Sequence, residues 1–152
     1  MEFYEDFAEK YDRLVSLENR IKRESPFYKK LFIENNIETI LDCACGTGQH
    51  VILFRKMGYK VKGSDISPSM IRKAKTNLKN LDLKIPIKIS DFRNLTKVWN
   101  EKFDAVICVG NSLPHLFSND DILKALGEMS ILLNEKGVLI LGQRNFDKLV
   151  KF

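Results

Sequence analysis

Metal-binding side chains are scarce in this 152-residue chain, which holds two histidines, His50 and His115, and three cysteines, Cys43, Cys45 and Cys108. A structural zinc site needs four ligands at workable spacing, such as Cys-x-x-Cys with a histidine pair, and that pattern is absent. The cysteines are odd in number and lie in apolar, strand-like text, so they read as small packing residues with no disulfide framework and no metal. No apolar run approaches the ~20 residues that cross a bilayer, and Met1-Glu-Phe-Tyr-Glu-Asp lacks the basic and then apolar pattern of a signal peptide. The cytoplasm is the expected location, with no membrane partner. Clustered basic charge is also missing. The net charge is +5, but Lys56, Lys60, Lys62, Lys73, Lys75, Lys79, Lys84 and Lys88 are dispersed, as on solvated faces, so nucleic acid is not the expected partner.

What is present suits one globular domain. With 44% hydrophobic and 30% charged residues, the composition is far from that of disordered chains. No repeat or linker divides the chain. From Glu2 to about Asn36 the pattern is helical, with Phe3, Phe7, Tyr11, Leu14 and Leu17 at three- and four-residue spacing, and Ser25-Pro26 is expected to open a second helix. Residues 1–36 read as a helical cap and 37–152 as the core. Strand and helix alternate through that core. Strands are expected at Ile37–Asp42, Tyr59–Ser64, Ile85–Ser90, Phe103–Val109 and Gly137–Gly142, and helices at Gln49–Met57, Ser67–Asn80 and Asp120–Leu133. Such alternation implies right-handed crossovers and a mostly parallel α/β sheet covered on both faces.

Open sheets of this kind bind ligands beyond the carboxyl ends of their strands. Those ends carry Asp42, Asp65 and Asp91, and the fourth strand runs into Gly110-Asn111. Gly46 and Gly48 let the backbone turn tightly and approach a ligand at the helix that follows. Gly-x-Gly with an acid about 20 residues on is half of a dinucleotide fingerprint. The third glycine is absent, Val51 standing in its place, and Asp42 would repel a pyrophosphate. A ligand with a ribose, a base and a cationic amino-acid tail fits better. Asp65 can accept both ribose hydroxyls, Asp91 can accept from an exocyclic amine, and Asp42 can favour an ammonium or sulfonium. Charge-assisted bonds of this kind are each worth about 1.5–3 kcal/mol. S-adenosylmethionine has all of these groups. Strand-end aspartates are also common turn and cap residues, which is the competing structural reading.

The residues LDCACGTG, GSDIS and SDF resemble the donor-binding motifs of class I S-adenosylmethionine-dependent methyltransferases. That resemblance implies a Rossmann-like sheet. It also implies donor contacts from Ala44, Gly46 and Gly48 at the methionine part, Asp65 and Ile66 at the ribose, Met70 at the adenine face, Asp91 and Phe92 at its edge, and Val109 beside them. Tyr11 is expected to close over the site and Arg23 to reach the donor carboxylate. Residues 103–116, FDAVICVGNSLPHL, and 142–147, GQRNFD, are similar to segments of glycine N-methyltransferases. The similarity implies that Asn111 and Arg144 hold a substrate carboxylate and that His115 orients the acceptor or takes a proton. The expected function is therefore methyl transfer to a small amine such as glycine or sarcosine. A binding domain without turnover and a small-molecule O-methyltransferase remain as alternatives. The family's sheet has seven strands ordered 3-2-1-4-5-7-6. Residues 148–152 are too few for the last two, so a truncated core is expected, with strand five an open edge through which two copies pair.

Overall fold

The computed structural model describes residues 16–145. Helix α1 spans Leu17–Glu34, and the core then alternates β1 (Thr39–Asp42), α2 (Gln49–Lys56), β2 (Lys60–Asp65), α3 (Pro68–Asn80), β3 (Ile87–Ile89), β4 (Phe103–Cys108), α4 (Asn119–Ile131) and β5 (Leu133–Leu141). Short 3-10 turns at Leu95–Lys97 and Leu113–His115 interrupt the connections on either side of β4. The strands form one sheet in the order β3-β2-β1-β4-β5, and every neighbouring pair is parallel. This is the Rossmann-like order expected, with the reversal between β1 and β4.

The central strands β1 and β4 are buried on both faces, as in parallel sheets generally. On one face Ile40, Val61, Ala105 and Ile107 pack with Val51, Leu53 and Phe54 of α2 and with Ile71, Ala74 and Leu78 of α3. On the other, Leu41, Val106 and Cys108 pack with Trp99, Phe103, Ala125 and Met129. Alternate residues of β1 and β4 thus enter opposite clusters, the period-two consequence of extended backbone. All three cysteines are buried in these clusters. Gly63 in β2 has a packing reason: a Cβ there would stand 2.8 Å from Ile87 Cδ1, 3.0 Å from Val51 Cγ2 and 3.2 Å from Cys45 Cβ.

Two local expectations need correction. No helix begins at Ser25-Pro26, because α1 runs unbroken through Pro26. Proline in a helix leaves the carbonyl four residues earlier without its donor. Lys22 and Pro26 are both exposed, so that carbonyl is on the solvent side, while Tyr28 and Phe32 anchor the next turn. Their rings meet Phe54 and Tyr59 edge-on, with centroids 4.8–5.2 Å apart, a favourable aromatic geometry. The second correction is β5, which begins at Leu133, four residues before Gly137. Leu133 pairs with Phe103 and the register then shifts before Val138 pairs with Ala105, with Lys136 at φ 66° absorbing the extra residues. The apolar periodicity from Phe3 to Leu14 lies outside the described residues.

Candidate functional site

The three strand-end aspartates share one local structure. In each, Oδ1 accepts the main-chain N–H two residues on: Ala44 to Asp42 at 3.2 Å, Ser67 to Asp65 at 2.9 Å and Arg93 to Asp91 at 2.8 Å. These are Asx turns, which turn the chain out of the strand without help from elsewhere. The structural reading of these residues therefore holds for all three. Their remaining acceptor capacity separates them.

Asp42 is 1% exposed, and its Oδ2 has no partner among the described residues. Burial raises its carboxyl to about 6, against the opposing charge of His50. An unpaired buried carboxylate oxygen is costly unless a ligand or water meets it. Asp65 Oδ2 accepts the N–H of Gly46 at 2.9 Å, fastening the glycine turn to the end of β2. Oδ1 and Oδ2 of Asp65 thus each hold a main-chain donor, and the Ile66 N–H is a third that favours the ionised form. Burial still raises this carboxyl above its ordinary value. Asp91 is different, because Arg93 closes on it with Nε at 3.1 and 3.0 Å from the two oxygens and Nη2 at 2.6 Å. Burial raises Asp91 and the Arg93 bonds outweigh it, so this carboxyl lies below the ordinary range. Arg93 Nη1 also reaches Asp121 at 3.0 Å, tying the loop after β3 to the first turn of α4.

The glycine turn is set by left-handed backbone. Gly46 has φ 53° and Gly48, which caps α2, has φ 86°. A Cβ at Gly48 would stand 3.4 Å from Ala74 Cβ, an ordinary contact, so it is the left-handed backbone that favours glycine there. Gly48 N–H donates to the Cys45 carbonyl at 2.8 Å, which closes the turn.

Two cavities open on this edge of the sheet. One, of about 460 Å³, is lined by Cys43, Ala44, Cys45 and Gly46, by Asp65, Ile66 and Met70, by Asp91, Phe92 and Arg93, and by Val109, His115 and Phe117. The other, of about 600 Å³, is lined by Asn19, Arg23, Glu24 and Tyr28 of α1, by Val109 and Asn111 after β4, and by Gln143 and Arg144 after β5. Arg20, His50, Val109 and Gly110 belong to both. Both volumes fall in the ordinary range of small-molecule sites, roughly 300–1,000 Å³.

The expected donor residues Ala44, Gly46, Asp65, Ile66, Met70, Asp91, Phe92 and Val109 come together around the smaller cavity, with Asp42 and Gly48 shaping the turn behind it. Asn111 and Arg144 meet on the larger cavity, while His115 is on the smaller one. Arg23 is turned outward, its side chain 77% exposed, and touches only the larger cavity. Tyr11 lies outside the described residues. Sequence reasoning missed Arg20, whose side chain is 12% exposed and sits where the cavities meet. The available signal was its one-turn spacing from Glu24 beside the aromatic run Phe27-Tyr28.

The glycine turn is thus fastened to an acid at the end of the neighbouring strand, and both line one cavity. The family described as Methyltransferase domain matches residues 40–137. The chain belongs to that family. It is 39% identical over 150 residues to the glycine/sarcosine N-methyltransferase of Parasynechococcus marenigrum, an alignment covering 99% of this chain and 53% of that one. The glycine/sarcosine N-methyltransferase of Aphanothece halophytica is 41% identical over 146 residues, covering 96% and 55%. The chain therefore spans about half the length of the curated relatives it matches. A solved S-adenosylmethionine-dependent methyltransferase from Clostridium acetobutylicum aligns with a TM-score of 0.76 at 31% identity, over 91% of this chain and 56% of that one. The expected Rossmann-like class I methyltransferase fold is borne out.

Proposed function

We propose that this chain binds S-adenosylmethionine in the smaller cavity and methylates the amine of a small amino acid, such as glycine or sarcosine, held in the larger one. The observation that carries the donor reading is the glycine turn at Gly46, which Asp65 fastens in place, on a cavity that Ile66, Met70 and Asp91 also line. Asp42 lies behind that turn with an Oδ2 that no described residue meets, and its charge favours a cationic ligand in the cavity. Asp65, on the wall of that cavity, is the acceptor for a pair of ribose hydroxyls. Ile66, Met70 and Phe92 offer apolar surface for the base, with Asp91 at its edge. Arg20 takes the role expected of Arg23, receiving the donor's carboxylate. The residues present fit the donor.

Bound there, S-adenosylmethionine supplies a methyl group on an already activated sulfonium, so the protein need supply no covalent nucleophile. Its residues have to hold the acceptor amine in line and keep water out, and such positioning is worth about 7–11 kcal/mol. Arg144 offers a planar fork to the acceptor's carboxylate, and Asn111 stands beside it. Val109 and Gly110, common to both cavities, place the two ligands next to each other. His115 orients the acceptor or accepts its proton from the donor side. Tyr11 is assigned to closure over the donor.

Calorimetry with S-adenosylmethionine and S-adenosylhomocysteine, followed by a methyl-transfer assay on glycine and sarcosine, tests this reading. Absence of donor binding sinks it. Donor binding without transfer to any amine favours a binding-only domain, and transfer to a hydroxyl favours an O-methyltransferase. The proposal extends to a homodimer through β5, which among the described residues pairs with β4 on one side only and carries half-exposed Val138, Leu139 and Ile140. Sedimentation showing only monomers at high concentration overturns that part. No helix among the described residues is long and apolar enough to cross a membrane, and a cytoplasmic setting belongs to this proposal.

A further inference from the structure

Arg20 is held more completely than a surface arginine. Its Nε donates to Gln49 Oε1 at 3.0 Å, and its Nη1 lies 3.3 Å from each oxygen of Glu24 and 2.8 Å from His50 Nε2. Glu24 Oε2 is 2.8 Å from the same ring nitrogen. A carboxylate only accepts and a guanidinium only donates, so Nε2 can satisfy one of the two. A proton on Nε2 directs it to Glu24, whose carboxylate then gathers Arg20 and His50 together. The His50 hydrogen bond, opposed by burial and aided by the Arg20 charge, pulls the Glu24 carboxyl to about 2, so it stays ionised. The imidazole itself is fixed. It stacks on Phe54 with centroids 5.7 Å apart and an interplanar angle of 28°, and Tyr28 meets it edge-on at 5.9 Å.

This cluster joins one turn of α1 to the first turn of α2, so rigid helices set the arginine's position. The side chains of Glu24 and His50 are 20% and 11% exposed. Nε and Nη1 of Arg20 are engaged, leaving Nη2 as the end of the fork that no described residue holds. An arginine restrained at two of three nitrogens loses little side-chain freedom when a ligand takes the third, which is the advantage of preorganisation.

We propose that Glu24 and His50 are positioning residues: they aim the Arg20 fork and thereby set how strongly this site prefers a donor that bears a carboxylate on its amino-acid end. The inference rests on the donor reading above and deepens it. It differs from a packing role in what it affects. A packing role supports the cavity as a whole, whereas aiming Arg20 affects only ligands with that carboxylate.

The test measures dissociation constants by calorimetry for S-adenosylhomocysteine and for its decarboxylated analogue, in which the amine remains and the carboxylate is gone. In the wild-type protein the carboxylated ligand binds more tightly, and Arg20→Ala removes the preference. Glu24→Gln and His50→Gln each reduce the preference roughly tenfold, the size of one charge-assisted bond, while the decarboxylated ligand binds within about twofold of wild type. Glu24→Asp, which keeps the charge, restores part of the preference and guards against a folding defect in the amide variant. Equal weakening of both ligands, or a preference unchanged in both variants, overturns the inference. A wild-type protein that binds neither ligand overturns the donor reading itself. One that binds both ligands equally removes Arg20 as the carboxylate receptor, and this inference with it.

Discussion

The main-chain N–H of Arg144 donates to the side-chain oxygen of Asn111 across 3.4 Å, joining the exit of β4 to the exit of β5. The join is reinforced by Gly142 N–H to the Cys108 carbonyl at 3.0 Å and by Asn111 N–H to the Gly142 carbonyl at 3.4 Å. Asn111 adopts φ 72°, a left-handed conformation that asparagine tolerates better than most residues. Because its oxygen is taken by Arg144, its NH2 group is the part left for a ligand. The Asn111 NH2 group and the Arg144 guanidinium are both donors, which suits an acceptor carboxylate.

That arrangement predicts a split between donor and acceptor binding. Asn111→Asp keeps the shape but replaces a donor group with a charge that repels a carboxylate, and Arg144→Ala removes the fork. Each should raise the acceptor KM tenfold or more, since charge-assisted bonds of about 1.5–3 kcal/mol are lost. The Kd for S-adenosylhomocysteine should stay within about twofold. Steady-state kinetics with glycine and calorimetry on the same samples check both halves, and a parallel loss of donor affinity would place these residues on the donor instead.

Asp42 predicts a pH dependence of stability with a definite sign. Burial raises its carboxyl from 3.8 to about 6, so between those values the folded chain binds more protons than the unfolded one. Its contribution to stability therefore declines as pH rises through that window and is flat above it. Asp42→Asn removes the charge that burial penalises. The ligand-free variant should gain in thermal midpoint relative to wild type more at pH 8 than at pH 4, while losing donor affinity. This trade is expected where a binding site holds an uncompensated charge. Thermal scans at the two pH values check it, and an equal difference at both would show that Asp42 is compensated in the free protein.

The three aspartates should also differ in what their removal costs. Asp65 takes neutral main-chain donors from Gly46 and Ser67, whereas the charged Arg93 already closes on both oxygens of Asp91. Asp65→Asn should weaken S-adenosylhomocysteine binding by roughly ten- to a hundredfold, the range for bonds to a charged group. Asp91→Asn should weaken it several times less. The reverse order in calorimetry would mean that Arg93 releases Asp91 when the base enters.

Why the sequence showed some of this and hid the rest follows from how each feature is encoded. The alternation of apolar strands with helices reports burial on both sheet faces, so a parallel sheet and the acidic edge at Asp42 and Asp65 could be read directly, whereas the strand order was implied only by the resemblance to the family. Pro26 misled because a local rule about proline takes no account of which helix face is wet. Arg20, Glu24 and His50 form one cluster from residues up to 30 positions apart, and no spacing rule links a turn of α1 to the start of α2. Arg93 was hidden similarly. Its effect on Asp91 requires knowing that the side chain folds back over its own turn to reach Asp121.

Gly63 tests whether the fold and the site are one mechanical unit. A Cβ at this position would press on Ile87 Cδ1 at 2.8 Å, which can rotate away, but also on Cys45 Cβ at 3.2 Å, which cannot move without moving the glycine turn. Overpacking of this kind costs about 1–3 kcal/mol, or roughly 2–4 °C of thermal midpoint per kcal/mol at this chain length. Gly58→Ala is the contrast. That residue has φ 99° with open space around a Cβ, so its cost is backbone strain of about 1–2 kcal/mol at the far end of α2 from the turn. Both variants should therefore be destabilised to a similar degree, yet only Gly63→Ala should weaken S-adenosylhomocysteine binding. If the two lose affinity alike, the effect is general loosening, and Cys45 is not the path by which strand β2 supports the turn.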